Sequence, residues 1–149
     1  MRIGEICIRN VVTVDRNTPL YEAARLMRSR HVGDVIVIDR NGKGSIPVGI
    51  VTDRDMAVAV LAEQLDPSKL TAGDIMGSGI VTVSEDQGLF ETIEQMKRKG
   101  IRRLPVVDSR GVLLGIVTVD DLLEFLGMHL TELSKVIARE RVHELQVRS

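Results

Sequence analysis

The chain has 149 residues, 44% apolar and 28% charged, with a formal net charge of −1. That balance excludes a disordered chain and a basic nucleic-acid surface. Aromatics at 2%, with no Trp, exclude a surface that stacks bases on rings. No apolar run approaches the ~20 residues that cross a bilayer, and Met1-Arg2-Ile3-Gly4-Glu5-Ile6 lacks a hydrophobic leader. The expectation is a globular, cytoplasmic protein with no membrane or nucleic-acid partner.

From the N-terminus, Val11–Val14 reads as a short strand. Thr18-Pro19 reads as an N-cap with proline at the first helical position, and Leu20, Ala23, Ala24 and Met27 mark one apolar helix stripe. Val35–Ile38 is a second strand, Asn41-Gly42 a turn and Val48–Val51 a third strand. A helix then starts after Thr52 and runs through Met56, Val60 and Leu61 to about Gln64. Asp66-Pro67-Ser68 breaks the chain.

Beyond this break the chain repeats itself. Val12-Thr13-Val14 returns 69 positions later as Val81-Thr82-Val83, and the same offset carries Gly4 to Gly73, Leu20 to Leu89, Met27 to Met96 and Asp39 to Asp108. Gly49-Ile50-Val51-Thr52-Asp53-Arg54-Asp55 returns 66 positions later as Gly115-Ile116-Val117-Thr118-Val119-Asp120-Asp121. The offsets differ because the first copy has a longer turn, Asn41–Pro47 against Ser109-Arg110-Gly111. The second copy has strands at Ile80–Val83, Leu104–Val107 and Leu113–Val117, and a helix carrying Leu89, Ile93 and Met96. Each copy is β-α-β-β-α, which gives an α+β fold with units at 1–65 and 66–126. Two units of this size bury little alone, so their apolar sheet faces are expected to meet about a pseudo-twofold axis.

The tail, 127–149, is helical in pattern, with Gly127 a break or kink. Leu126, Leu130, Leu133 and Ile137 are spaced 4, 3, 4. This stripe packs back on its own unit or joins a partner chain.

In each heptad the Thr and Asp occupy N-cap and N3 of a helix, a capping-box pattern with Asp in place of Glu. Alone, such a tetrad is a helix start. It also forms an anion-attracting helix N-terminus beside a carboxylate that can accept from a sugar diol, and its recurrence within a whole heptad favours a site. Other chemistry is not indicated. His31, His129 and His143 have no metal-ligand spacing, with each other or with Cys7. No nucleophile elbow, Walker loop or Gly-x-Gly-x-x-Gly is present. The lone Cys7, aligned with Met76, reads as a small core hydrophobe.

Met27, Val35–Asp39 and heptad 49–55, then Met96, Ile101–Asp108 and heptad 115–121, resemble a tandem pair of cystathionine-β-synthase (CBS) domains, a Bateman module. The resemblance covers residues 1–126. It implies a regulatory module, not an enzyme. Such a module has no obligatory cofactor and binds adenosine-containing ligands: AMP (the first expectation), ADP, ATP, NAD or S-adenosylmethionine. In the family the Asp takes the ribose hydroxyls, the Thr and helix start lie near ribose and phosphate, and adenine slots between aliphatic side chains. Each cleft mixes the two copies.

Carried over, one site comprises Thr52, Asp55, Ile80, Val81, Arg103 and Pro105. The other comprises Thr118, Asp121, Val11, Val12, Asp34 and Ile36. Arg103 can neutralise a phosphate; its counterpart Asp34 repels one or is simply a strand-edge charge. The first site is therefore expected to prefer a phosphorylated nucleotide. The resemblance also implies a homodimeric disc and an unidentified regulated protein; a scaffold with vestigial sites is the alternative.

Overall fold

The β-branched runs of each copy pair into one small sheet. The computed structural model describes residues 1–148. In the first unit β1 (Thr13–Asp15), α1 (Leu20–Arg30), β2 (Asp34–Asn41) and β3 (Gly44–Thr52) lead into α2, an α-helical turn over Asp53–Asp55 that continues as a π-helix over Met56–Leu61. A short α3 (Ala72–Ile75) opens the second unit, followed by β4 (Val83–Ser84), α4 (Leu89–Lys99), β5 (Arg103–Val107), β6 (Leu113–Thr118) and a long α5 (Val119–Arg148). Both sheets have one topology: the first strand parallel to the second, the second antiparallel to the third. Both carry a register irregularity at the same point, Val37/Ile38 and Val106/Val107. The α+β fold and the duplication are thus as expected.

One face of each sheet holds its own helices, over Val14, Leu20, Met27, Val35 and Val51 in the first unit and Val83, Leu89, Met96, Leu104 and Val117 in the second. A third cluster joins the units. Ile36 and Ile38 of β2 pack with Ile116 of β6, flanked by Val11, Ile50 and Leu113. This is the face-to-face burial expected from the apolar sheet faces.

The leading segments exchange between units. Ile3, Ile6 and Cys7 pack into the second unit's core, while Leu70, Ala72, Ile75 and Met76 pack into the first. Backbone bonds fix both crossings. Gly4 N–H donates to Glu85 O (2.9 Å), and Gly73 N–H donates to Arg16 O (2.8 Å). Arg2 bridges Gly88 as Thr71 bridges Pro19. The exchange explains the leading glycine of each heptad. A Cβ on Gly49 would lie 2.5 Å from Met76 Sδ, and one on Gly115 would lie 2.5 Å from Ile8 O and 2.9 Å from Cys7 Sγ. The crossing segment runs directly over these glycines.

Four local expectations are corrected. Val11 and Val12, and likewise Ile80 and Val81, precede their strands because the chain there is still crossing between units. Thr18 does not cap α1. Its hydroxyl accepts from Asp15 N–H (3.1 Å), Pro19 is the N-cap, and the free Leu20 N–H reaches Leu70 O (2.9 Å). The helix after Thr52 is mostly π-helical, with Ala62 N–H bonded to Ala57 O, and ends as Gln64 turns to φ 56°. Gly127 does not break α5; one glycine costs only about 1 kcal/mol between strong helix formers. Of the two readings of the tail stripe, packing back holds for Leu126, which lies against the second core, and not for Leu130, Leu133 and Ile137, which are 67%, 62% and 55% exposed.

Substituting Ala at either heptad glycine should destabilise the fold by about 1–3 kcal/mol, the range for overpacking a tight contact. Gly115→Ala should cost more than Gly49→Ala, because it meets a backbone carbonyl instead of a methionine side chain. Urea unfolding of the two variants checks the order.

Candidate functional site

The two heptads place equivalent helix starts at the junction of the units. Thr52 N–H donates to Asp55 Oδ2 (2.8 Å), and Asp55 N–H donates to Thr52 Oγ1 (3.0 Å). Thr118 and Asp121 repeat both bonds at 3.1 Å. Each aspartate thus spends Oδ2 on its own cap. Among the described residues Oδ1 has no protein partner, and it remains an acceptor at a helix N-terminus. The same box recurs at Thr71 and Asp74, with bonds of 2.9 and 3.3 Å. Sequence reading passed over that third tetrad. It caps α3 within the crossing segment, so the tetrad alone does not make a site.

What sets the heptads apart is the centre between them. Asp34 lies opposite Thr52 across β2–β3, and Arg103 lies opposite Thr118 across β5–β6. Arg103 Nη1 donates to Asp34 Oδ2 at 2.7 Å, with the side chains 29% and 17% exposed. The two residues assigned to separate sites therefore touch. Asp34 is neither a strand-edge charge nor an unopposed repeller of phosphate, and Arg103 is already engaged. Burial raises the Asp34 pKa above the usual carboxylate range; Arg103 opposes this, while Asp53 and Asp121 raise it further. The short ion pair thus offsets only part of the desolvation.

One expected site is open. A cleft of about 190 Å³ is lined by Ile50, Ile80, Val81, Ile101 and Arg103, with Gly77-Ser78-Gly79 as its outer wall. Three of the six residues assigned to the Asp55 site, Ile80, Val81 and Arg103, line it; Thr52 and Asp55 do not. Nor does Pro105, a fully buried residue of β5, and Ile36 of the other site is likewise sealed between the sheets. Ile50, Ile101 and the glycine wall were missed from sequence, although Ile50 stands inside the heptad itself.

The equivalent edge in the other unit is closed. Ile8 and Ile116 exchange two backbone bonds of 2.9 Å, so the residues just before Val11 and Val12 cover that strand. Among the described residues no such bond joins Ile50 to Gly77–Gly79. The backbone groups of Ile50, equivalent to those Ile116 gives to Ile8, are left facing the cleft.

Two further residues are placed. His31 is exposed and closes α1 at φ 55°, as Gly100 closes α4 at φ 64°, so its role is a left-handed cap. Cys7 is half-buried against Gly115, and burial raises its pKa, which keeps it a packing thiol. No cluster of His, Cys, Asp or Glu suited to a metal occurs among the described residues, and no helix is long and apolar enough to cross a membrane.

The CBS domain family model matches this chain twice, over residues 3–62 and 72–128. An uncharacterized protein of Methanopyrus kandleri is 38% identical over 122 residues; the match covers 82% of this chain but only 61% of that protein. A CBS domain-containing protein of Bacillus subtilis is 33% identical, with 75% of this chain and 76% of that protein covered. Among solved structures, a CBS domain pair in complex with 5′-methylthioadenosine and S-adenosyl-L-methionine superposes with a TM-score of 0.75 at 28% identity, covering 87% of this chain and 98% of that one.

The raised pKa of Asp34 fixes the sign of a pH effect. Folding favours its protonated form, so its contribution is fully present below the unfolded value of 3.8 and is lost as pH rises through the folded value. Asp34→Asn removes this dependence. The stability of the variant relative to the parent should therefore increase between pH 4 and pH 7, as read by urea unfolding at the two pH values.

Proposed function

The chain belongs to the CBS domain family, and on that premise we propose that its open inter-unit cleft binds an adenosine-containing ligand, AMP foremost, as a regulatory sensor and not as an enzyme. The observation that carries this reading is the cleft: an aliphatic slot, a free strand edge and an arginine drawn from two units. Adenine fits between Ile50 and Ile80 or Val81, where a flat base gains apolar contact without aromatic stacking, and its edge bonds to the Ile50 backbone. Asp55 Oδ1 accepts from the ribose hydroxyls. Arg103 takes the phosphate in a charge-assisted bond, and Thr52 lies at the helix start beside it. The solved pair bound to methylthioadenosine and S-adenosyl-L-methionine supports the adenosine class.

At about 190 Å³ the cleft is smaller than the roughly 300–1,000 Å³ of ordinary small-molecule sites, so binding requires it to open. The wall free to move is Gly77–Gly79, unbonded to Ile50, with Gly79 at φ 77°. A phosphate must also draw Arg103 away from Asp34. A ligand that favours this opened arrangement shifts its population by its differential affinity, and a regulated protein reads the change. The Thr118/Asp121 site, with Val11, Val12 and Asp34, is the weaker one, because Ile8 already holds its strand edge.

A thermal-shift panel of AMP, ADP, ATP, NAD and S-adenosylmethionine tests the proposal. Ligand at a hundredfold excess over its Kd stabilises the fold by about 2.7 kcal/mol. Asp55→Asn keeps a cap acceptor but loses the diol carboxylate, and Arg103→Ala loses the phosphate contact; each should weaken AMP tenfold or more. Asp34→Asn frees Arg103 and should tighten AMP by up to about tenfold, or 1.4 kcal/mol. A flat panel at millimolar ligand would favour the scaffold reading. Equal AMP affinity in the Asp34→Asn variant would show that the ion pair does not compete with phosphate.

A further inference from the structure

We infer, on the reading that the open cleft takes a phosphorylated adenosine, that it takes up a proton together with this ligand: the phosphate that draws Arg103 away leaves Asp34 to be protonated. Nucleotide and proton are then joint inputs to one site.

The geometry gives Asp34 a single source of positive charge. Arg103 Nη1 reaches Asp34 Oδ2 at 2.7 Å, and among the described residues no other cation pairs with this carboxylate. The charged groups that act on Asp34 from the elements around it are Arg103 of β5, Asp53 of α2 and Asp121 of α5. Its cross-strand neighbour on β3 is the uncharged Thr52. Asp53 is held close. Its N–H donates to Gly33 O (3.0 Å), and a Cβ on Gly33 would lie 3.2 Å from Asp53 Oδ2.

The influences on Asp34 divide cleanly. The charge of Arg103 and its hydrogen bond favour the ionised carboxylate, and both come from one guanidinium. Burial, Asp53 and Asp121 all favour the neutral acid. Moving the guanidinium away removes the whole of the first set and none of the second. The phosphate that takes it brings more negative charge to the same place.

Opening the cleft does not hydrate Asp34 instead. The wall that moves is Gly77–Gly79, and Asp34 does not line that cleft. It is the counterpart of Arg103 in the other mouth, which the two Ile8–Ile116 bonds keep shut. A proton is then what removes the buried charge. The sign follows. Phosphate binding favours the protonated acid, so affinity is highest at low pH. It falls as pH rises between the Asp34 pKa of the free chain and the higher one of the complex, by at most about tenfold per pH unit for one proton.

Isothermal titration calorimetry of the full chain with AMP, in non-phosphate buffers of different ionisation enthalpy, counts the protons taken up. The AMP phosphate itself titrates at about pH 6, so the quantity read is the difference between the parent and Asp34→Asn, in which that contribution cancels. The parent should take up more protons per AMP than the variant, and should lose affinity relative to it as pH rises from 5 to 8. Asp53→Asn withdraws one of the two opposing charges and should move this loss to lower pH. Equal proton uptake and parallel pH profiles, with AMP bound by both chains, overturn the inference and leave the cleft reading standing. No AMP binding by either chain at any pH overturns both.

Discussion

The constraint on which this fold depends is the reciprocal crossing of two short segments. Each unit is too small to close its own core, and each borrows the first turn of the other, Ile3–Cys7 in one direction and Leu70–Met76 in the other. The crossing chain must pass within van der Waals distance of a strand, and only a residue without a side chain permits that at Gly49 and Gly115. The same passage decides the sheets' limits. It delays β1 and β4, supplies the backbone carbonyl that starts α1, and leaves Val11, Val12, Ile80 and Val81 at the mouth between units.

The candidate site is a by-product of that construction. Where Ile8 bonds to Ile116 the mouth is sealed, and where Gly77-Ser78-Gly79 passes Ile50 it is not. One side chain accounts for the difference: Ile8 can hold a strand position and add apolar contact, whereas its counterpart Gly77 adds nothing. Opposite the opening, Arg103 is held by Asp34 in a half-buried pair whose carboxylate is only partly compensated. A held arginine is a selective one, since a group that takes it must offer more than the carboxylate does.

The duplication, the α+β class and the strand and helix order were legible because they are written in local periodicity and in the repeat itself. The two heptads were legible as helix starts for the same reason. The crossing of segments was not, since nothing in Arg2–Ile8 tells which of two similar sheets it will join. The pairing of Arg103 with Asp34 was hidden by the same symmetry. Alignment of the copies makes the two counterparts, which belong to separate clefts, whereas the fold brings them into contact. The family resemblance makes Pro105 and Ile36 cleft walls, but both are fully buried, Ile36 in the cluster between the sheets. The π-helical stretch of α2 left no periodic signal that differs from an ordinary helix over six residues.

Positions 34 and 103 are the same position of the repeat, and they touch. Two identical molecules meeting there would each have to tolerate a copy of itself. The first unit would set one half-buried carboxylate against another, and the second would set guanidinium against guanidinium. Like charges 4 Å apart repel by about 4 kcal/mol at an effective dielectric near 20. Joining both halves in one polypeptide removes the demand for self-compatibility, because the two sides of the contact are then encoded separately. Complementarity at the centre is thus a property of the fused chain alone. Neither half could reproduce it by dimerising with itself.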